Sequence, residues 1–344
     1  MNSWVLHGKN DLRYENHVEP TPKVNEVIVQ IKKIGICGSD IHYFSHGRIG
    51  TFIPSKPFIL GHEFSGIIVD LGHQVDSFSI GDRVAINPSH PCYRCTFCIA
   101  GRTNLCNDMK YFGSAATNPP TDGGLCEFIA VSVNNCYKIS EKVNFATAAL
   151  LEPLAVALHA ITRAGNIAGH NVLISGAGTI GLLIATLVRY FGANLVVLTD
   201  LKEKRRIVAK QFADLVINPR VQDVASLNVS TVDNGFTISF EAAGASDSFN
   251  WLLHNTLKGG TLIQIGTLTT EVKNTLNLIM SNELQILGSF RFSSEYKTGI
   301  DLIESGHIKI DNLVSETFPL EQAILGFKKA VDDDSTIKIQ IDNP

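Results

Sequence analysis

Four cysteines crowd into the stretch NPSHPCYRCTFCIAGRTNLCND, at Cys92, Cys95, Cys98 and Cys106, in a chain that has seven cysteines in 344 residues. The spacing C-x2-C-x2-C-x7-C lies on a loop turned by Pro88, Pro91 and Gly101. Thiolates this close can converge on one tetrahedral ion without admitting water, the closed geometry of structural zinc. An iron–sulfur cluster would use the same ligand type, and a redox pair would need only one C-x-x-C. A closed zinc site implies folding, not catalysis.

A second set of candidate ligands lies upstream. Cys37 in GICGSD, with His62 and Glu63 in GHE, offers a thiolate, an imidazole and a carboxylate from two loops, and Glu152 in LLEPLAVALHA is a further acid. Soft and hard ligands with one position left to water or substrate make an open, catalytic zinc site. Singly, Cys37 also reads as a small buried residue and His62 as a packed imidazole. Ser39 and His42 follow Cys37 closely enough to carry protons, although exposed loop polarity would explain them equally well. Cys126 and Cys136, flanked by apolar residues, read as buried packing thiols.

A third pattern, VLISGAGTIGLLIATLV, places Gly176, Gly178 and Gly181 as G-x-G-x-x-G between an apolar strand and a helix. The first glycine permits a tight turn, the second lets the backbone approach a pyrophosphate, and the third allows close helix-to-strand packing. The free N–H groups of the helix N-terminus then face the phosphates. Asp200 closes the next apolar run, NLVVLTD, where an acid accepts from both ribose hydroxyls. That favours NAD over NADP, with Lys202, Lys204, Arg205 and Arg206 downstream keeping NADP open. A glycine pattern for helix packing alone is the bland alternative.

These residues need elements to position them. From Val24 to about Phe145, short apolar runs are broken by Gly, Pro and Asp, and VIVQI alternates with Val27, Val29 and Ile31 on one face, which predicts a β-rich domain. From about Leu154, near-continuous apolar strands alternate with helical patterns, which predicts a parallel sheet covered on both faces. The end, with a helix-like stretch near Leu320 to Lys329 and the alternating TIKIQI, is expected to return to the first domain. The expected organisation is residues 1–153, 154–288 and 289–344. The fold class is α/β.

Composition excludes several classes of partner. With 44% hydrophobic and 18% charged residues and a net charge of −4, neither nucleic acid nor an anionic membrane is favoured. The opening MNSWVLHGKNDLRYENHVEP has no basic segment leading into an apolar stretch, so a cytoplasmic location is expected. Residues 164 to 188 lack Asp, Glu, Lys and Arg, but their strand, glycine turn and helix explain the run better than a membrane span does.

Taken together, GICGSDIHYFSHGRIG, ILGHE, the four-cysteine lobe, LEPLAVALHA and GAGTIG resemble the zinc-dependent medium-chain dehydrogenases, specifically their polyol branch. The resemblance spans essentially the whole chain, with the motifs in the expected order. It implies a GroES-like β-rich catalytic domain, a Rossmann doubly wound parallel-sheet domain, and a catalytic cleft between them. It also implies two zinc ions, one catalytic and one structural, and a homodimer or homotetramer. Within the branch, VAINPSHPCYRC, CNDMKYFGSA and LGSFRFSSEY are similar to bacterial L-idonate 5-dehydrogenases. That likeness implies reversible oxidation of L-idonate at C5 to 5-dehydro-D-gluconate.

By the same resemblance, Cys37, His62 and Glu152 match catalytic-zinc positions, and Glu63 matches an acid that can be the inner-sphere ligand in sorbitol dehydrogenases, which leaves Glu63 and Glu152 as alternative carboxylate ligands. Ser39 begins a proton relay and His42 ends it. Asp200 and Arg205 match adenosine-ribose contacts, and Ile180 and Gly266 line the cofactor. Tyr43, Phe112 and Arg291 match substrate-pocket positions, while Phe292 replaces a tyrosine often found in sorbitol dehydrogenases. An aldonate carries a carboxylate whose unpaired burial would be costly, so Arg291, alone or with Lys110, is expected to face it. A cofactor phosphate or a salt bridge would occupy Arg291 equally well. The rivals are a sorbitol or xylitol dehydrogenase and a non-catalytic nucleotide sensor; the intact set Cys37, His62, Glu63 and Glu152 argues against the latter.

Overall fold

The computed structural model describes residues 1–222, 224, 235–268, 271–272, 276–333 and 335–343. The chain divides into two compact units, residues 1–152 with 296–344, and residues 153–295.

The first unit is built on a sheet in which strand Glu26–Gly35 pairs antiparallel with Glu63–Leu71 on one side and with Lys338–Asp342 on the other. Val27, Val29 and Ile31 are fully buried, as their alternation predicts. The sheet continues through Arg83–Ile86 to Cys136–Lys138 at one end and through Val314–Pro319 at the other, and Phe128–Ser132 also pairs with Glu26–Gly35. A smaller sheet orders Asp11–Asn16, Asn2–Gly8 and Phe58–Ile59. Trp4, Phe58, Phe64, Ile341 and Phe327, drawn from both sequence segments of the unit, belong to one apolar core. Helix Gly38–His46 begins where strand Glu26–Gly35 ends and closes on Gly47, whose φ of 73° is the left-handed cap that glycine supplies without strain.

Among the described residues the second unit holds six parallel strands in the order Leu215–Ile217, Leu195–Thr199, Asn171–Ser175, Phe236–Glu241, Thr256–Gln264, Gln285–Gly288. Numbered along the chain this is 3-2-1-4-5-6, the doubly wound arrangement whose strand order reverses beside Asn171–Ser175. Strand Leu195–Thr199 is buried throughout, as expected of a strand covered on both faces. The run without charges, 164 to 188, resolves into strand Asn171–Ser175, a turn, and helix Thr179–Tyr190. Among the described residues no helix is long and apolar enough to cross a membrane.

Candidate active site and metal centres

In the first unit Cys37 is the N-cap of helix Gly38–His46. Its side chain accepts from the backbone at the third helical position, while Asp40, which occupies that position, returns a carboxylate to the Cys37 N–H at 2.9 Å. The sulfur thus sits at the positive end of the helix dipole. His62 and Glu63 open strand Glu63–Leu71 from the other side. One donor atom each from Cys37, His62 and Glu63 falls within 4.8 Å of the others, and His62 and Glu63 are buried.

Asp40 orders this cluster. It is 1% exposed, accepts from the Gly61 N–H at 3.3 Å, and lies 3.6 Å from Nδ1 of His62. A carboxylate against Nδ1 leaves Nε2 free to bind a metal. Burial alone would lower the His62 pKa, but Asp40 and Cys37 beside it outweigh that and hold it well above the ordinary imidazole value. A field that favours a proton on His62 favours a cation generally, and a thiol, an imidazole and a carboxylate are zinc donors. The residues present therefore fit a zinc ion.

Ser39 Oγ is 3.5 Å from Nε2 of His62. His42, one turn further along the helix, stacks on His46 with ring centroids 5.4 Å apart. Glu152, in the first turn of helix Leu151–Ala164, lies outside the cluster of donor atoms; it is buried and accepts from the Tyr111 hydroxyl at 2.5 Å. Burial pushes its carboxyl upward, with Glu63 adding to that against the opposing His62. Tyr43 and Phe112 are buried as well. The Tyr43 hydroxyl accepts from Ala115 N–H at 3.0 Å, and the Phe112 ring packs edge-on against Phe64 and His90. Lys110 is exposed.

The sulfurs of Cys92, Cys95, Cys98 and Cys106 also converge within 4.8 Å of one another. Backbone N–H groups of Cys92 and Asp108 donate to the Cys106 sulfur at 3.2 and 3.3 Å. N–H groups of Asn107 and Cys98 hold the Cys95 thiol down to about 6, whereas desolvation and the neighbouring Cys95 and Cys106 push Cys98 up to about 12. Four sulfurs this close cannot all ionise unaided, and a divalent cation is what allows it. Cys106 packs with Met109 and Tyr111 in a small apolar cluster of its own. Cys95→Ser is expected to remove one zinc per chain, measured by metal analysis, and to lower the melting temperature by about 5 °C or more. Full zinc content with an unchanged melt would rule out a metal at this lobe.

In the second unit Gly176 ends strand Asn171–Ser175 with φ 102°, and a Cβ on Gly181 would fall 1.8 Å from the Gly176 carbonyl oxygen. The turn and the helix after it can approach only because both residues lack side chains. At Gly178, the N-cap of helix Thr179–Tyr190, a Cβ would meet nothing nearer than the Arg205 guanidinium at 4.0 Å. Asp200 is held by the N–H groups of Ala177 at 2.8 Å and Lys202 at 2.7 Å. Gly176, Gly178, Asp200 and Arg205 line one cavity of about 480 Å³, a size suited to a small ligand, with Arg220 and Trp251 also on its wall. Ile180 and Gly266 are half-buried and are not among the described residues lining it.

Glu241 of this unit belongs to none of the sequence motifs. Buried Glu241 accepts from the N–H groups of Ala243 and Gly244, from Ser248 and from Gln264, and so ties the loop after its strand to the cavity wall. Arg291, also in this unit, adopts φ 53°, unusual for a residue with a side chain, and its guanidinium lies 4.9 Å from the Phe290 ring.

Residues 23–141 match the alcohol dehydrogenase GroES-like domain and residues 179–305 match the zinc-binding dehydrogenase domain. Sorbitol dehydrogenase of Bos taurus is 38% identical over 330 residues, 95% of this chain and 92% of the relative. The crystal structure of L-idonate 5-dehydrogenase from Escherichia coli superposes with a TM-score of 0.91 at 33% identity, covering 99% of this chain and 97% of that one. A zinc-binding dehydrogenase structure from Sinorhizobium meliloti bound to NADP has a TM-score of 0.90 at 30% identity, covering 99% and 98%. The chain belongs to the zinc-dependent medium-chain dehydrogenases, in their polyol branch. Zinc and a nicotinamide dinucleotide are the cofactors of that family, and polyols and sugars its substrates.

Proposed function

We propose that this dehydrogenase oxidises L-idonate at C5 to 5-dehydro-D-gluconate, and the reverse, with NAD(H). The observation that carries the chemistry is the convergence of Cys37, His62 and Glu63 with the Ser39 hydroxyl beside them. The likeness to the Escherichia coli L-idonate enzyme along 99% of the chain supports the substrate.

When bound, zinc supplies Lewis acidity that brings a hydroxyl's pKa towards neutrality, as it brings water from 15.7 to about 7, and NAD supplies the hydride acceptor. Cys37, His62 and Glu63 would hold the ion, and Asp40 fixes the imidazole. Ser39 takes the substrate's hydroxyl proton, which leaves by way of His42. Burial, aided by His46, lowers the His42 pKa. Asp200, fixed by two backbone donors, orients the adenosine ribose, and the Gly176 to Gly178 turn faces the pyrophosphate. Tyr43, Phe112 and Arg291 belong to substrate recognition, with Arg291 paired to the aldonate carboxylate. We further propose a cytoplasmic homodimer or homotetramer; the seven free cysteines suit a reducing compartment.

A second reading is a sorbitol or xylitol dehydrogenase, favoured by the 38% identity to the bovine enzyme against 33% to the L-idonate enzyme. The test is kcat/KM for L-idonate, D-gluconate, sorbitol and xylitol, followed by NADH absorbance in wild type and Arg291→Ala. L-Idonate is expected to be the best substrate. The variant is expected to lose about 30-fold or more on L-idonate and little on sorbitol, because only the aldonate leaves a charge unpaired. Equal losses on both would remove the carboxylate role from Arg291 and favour the neutral polyol.

A further inference from the structure

The carboxylate of Glu63 is claimed on both oxygens by one side chain. The ammonium of Lys338 donates to Oε1 at 2.8 Å and to Oε2 at 2.6 Å, and also to the Ile36 carbonyl at 3.1 Å. An ammonium has three donors and no acceptor, so with these bonds Lys338 is saturated and its direction is fixed. The lysine side chain is 3% exposed and the glutamate 1%, which leaves neither of them water as an alternative partner. Gly35, opposite Glu63 on the neighbouring strand, completes the seat, because a Cβ there would come 2.0 Å from Oε2.

A carboxylate gripped this way keeps a lone pair on each oxygen but loses its rotational freedom. One of its oxygens is thereby kept within 4.8 Å of the donor atoms of Cys37 and His62. Glu152 is held differently, its Oε1 accepting from the neutral phenol of Tyr111, and it stands outside that group of donors. We propose that Lys338 is the positioning residue that makes Glu63, rather than Glu152, the carboxylate ligand of the catalytic zinc. This rests on the reading of Cys37, His62 and Glu63 as the ligand set.

The test uses the zinc holoenzyme in five forms: wild type, Lys338→Met, Lys338→Arg, Glu63→Gln and the double variant Lys338→Met/Glu63→Gln. Two measurements that need no turnover are the rate at which a chromophoric chelator removes the faster-exchanging zinc, and the visible absorption after Co(II) replaces that zinc. Lys338→Met is expected to speed zinc loss by about 10- to 100-fold, the usual consequence of removing a partner of a ligand, and to shift the Co(II) bands in the direction that Glu63→Gln shifts them. Lys338→Arg should stay close to wild type in both. In the double variant the lysine change should add nothing to Glu63→Gln, because the lysine acts through the carboxylate.

If Glu63→Gln changes both readouts while Lys338→Met matches wild type, the positioning role is overturned and Glu63 remains a ligand. If Glu63→Gln leaves the Co(II) spectrum unchanged, the ligand set itself is wrong, and the proposal goes with it. Should Lys338→Met fail to fold, the charge-balanced double variant decides. Zinc loss equal to that of Glu63→Gln supports the proposal, and a further tenfold acceleration overturns it.

Discussion

Cys37→Ser should retain the wild-type melting temperature and the four-cysteine zinc while kcat falls by at least about a thousand-fold. The two halves of this expectation have separate causes. The Cys37 side chain accepts from the backbone of helix Gly38–His46, and a serine hydroxyl is a strong N-cap acceptor that preserves this bond. A hydroxyl is, however, a poor substitute for a thiolate on zinc, and the ion's charge stabilisation of the reacting oxygen is worth several kcal/mol. Three decades of rate correspond to about 4 kcal/mol. Metal analysis beside steady-state kinetics checks both halves. Cys37→Ala, which also loses the cap, should reproduce the kinetic loss and lower stability by about 1 kcal/mol more. Full activity in a Cys37→Ser protein holding one zinc would dismiss Cys37 as a ligand.

The second large effect is expected at Gly181. Valine there brings a Cβ within 1.8 Å of the Gly176 carbonyl oxygen, and backbone cannot yield as a flexible side chain would. Helix Thr179–Tyr190 must move off strand Asn171–Ser175, at a cost of about 3 kcal/mol or more, and the turn that faces the pyrophosphate moves with it. NADH titrated by fluorescence should bind at least about 100-fold more weakly, with both zinc ions retained, because both clusters of candidate ligands, Cys37 with His62 and Glu63 and the four cysteines, lie in the other unit. Gly178→Ala provides the contrast. Its added methyl has open space apart from the Arg205 guanidinium at 4.0 Å, so the melt should hold while NADH weakens. An undiminished NADH affinity in Gly181→Val would separate this turn from cofactor binding.

The parts of the molecule legible in the sequence are those whose geometry is local. The sulfurs of Cys92 to Cys106 meet because few residues separate them, and the glycine turn follows from the strand and helix adjoining it. Residues brought together by distant strand pairing left no such signal. Asp40 looked like one more polar residue of GICGSD, although its carboxylate holds Cys37, Gly61 and His62 together. Glu241 reads only as the acid at the end of an apolar strand.

Lys338 carries the least local signal of these residues. In TIKIQI the alternation is genuine, and it suggests a polar face in water. Strand Lys338–Asp342 is an inner strand, however, paired on both edges, and Lys338 and Gln340 are buried along with Ile339 and Ile341. Period two reports which residues share a face; it does not say whether that face meets solvent. Gln340 uses its amide on the Ala146 carbonyl, and Lys338 uses its charge on Glu63.

That strand also sets an order of events during synthesis. The lysine and the Ile36 carbonyl it contacts are 302 residues apart in the chain, so the sheet around Cys37, His62 and Glu63 stays open at one edge until Lys338–Asp342 has left the ribosome. The four-cysteine lobe spans only residues 92 to 106, and the nucleotide-binding unit lies wholly within 153–295. Both can close on the nascent chain. The two zinc sites thus mature in sequence: the lobe can take its ion early in translation, and the catalytic centre acquires its finished ligand geometry only after strand Lys338–Asp342 has been made.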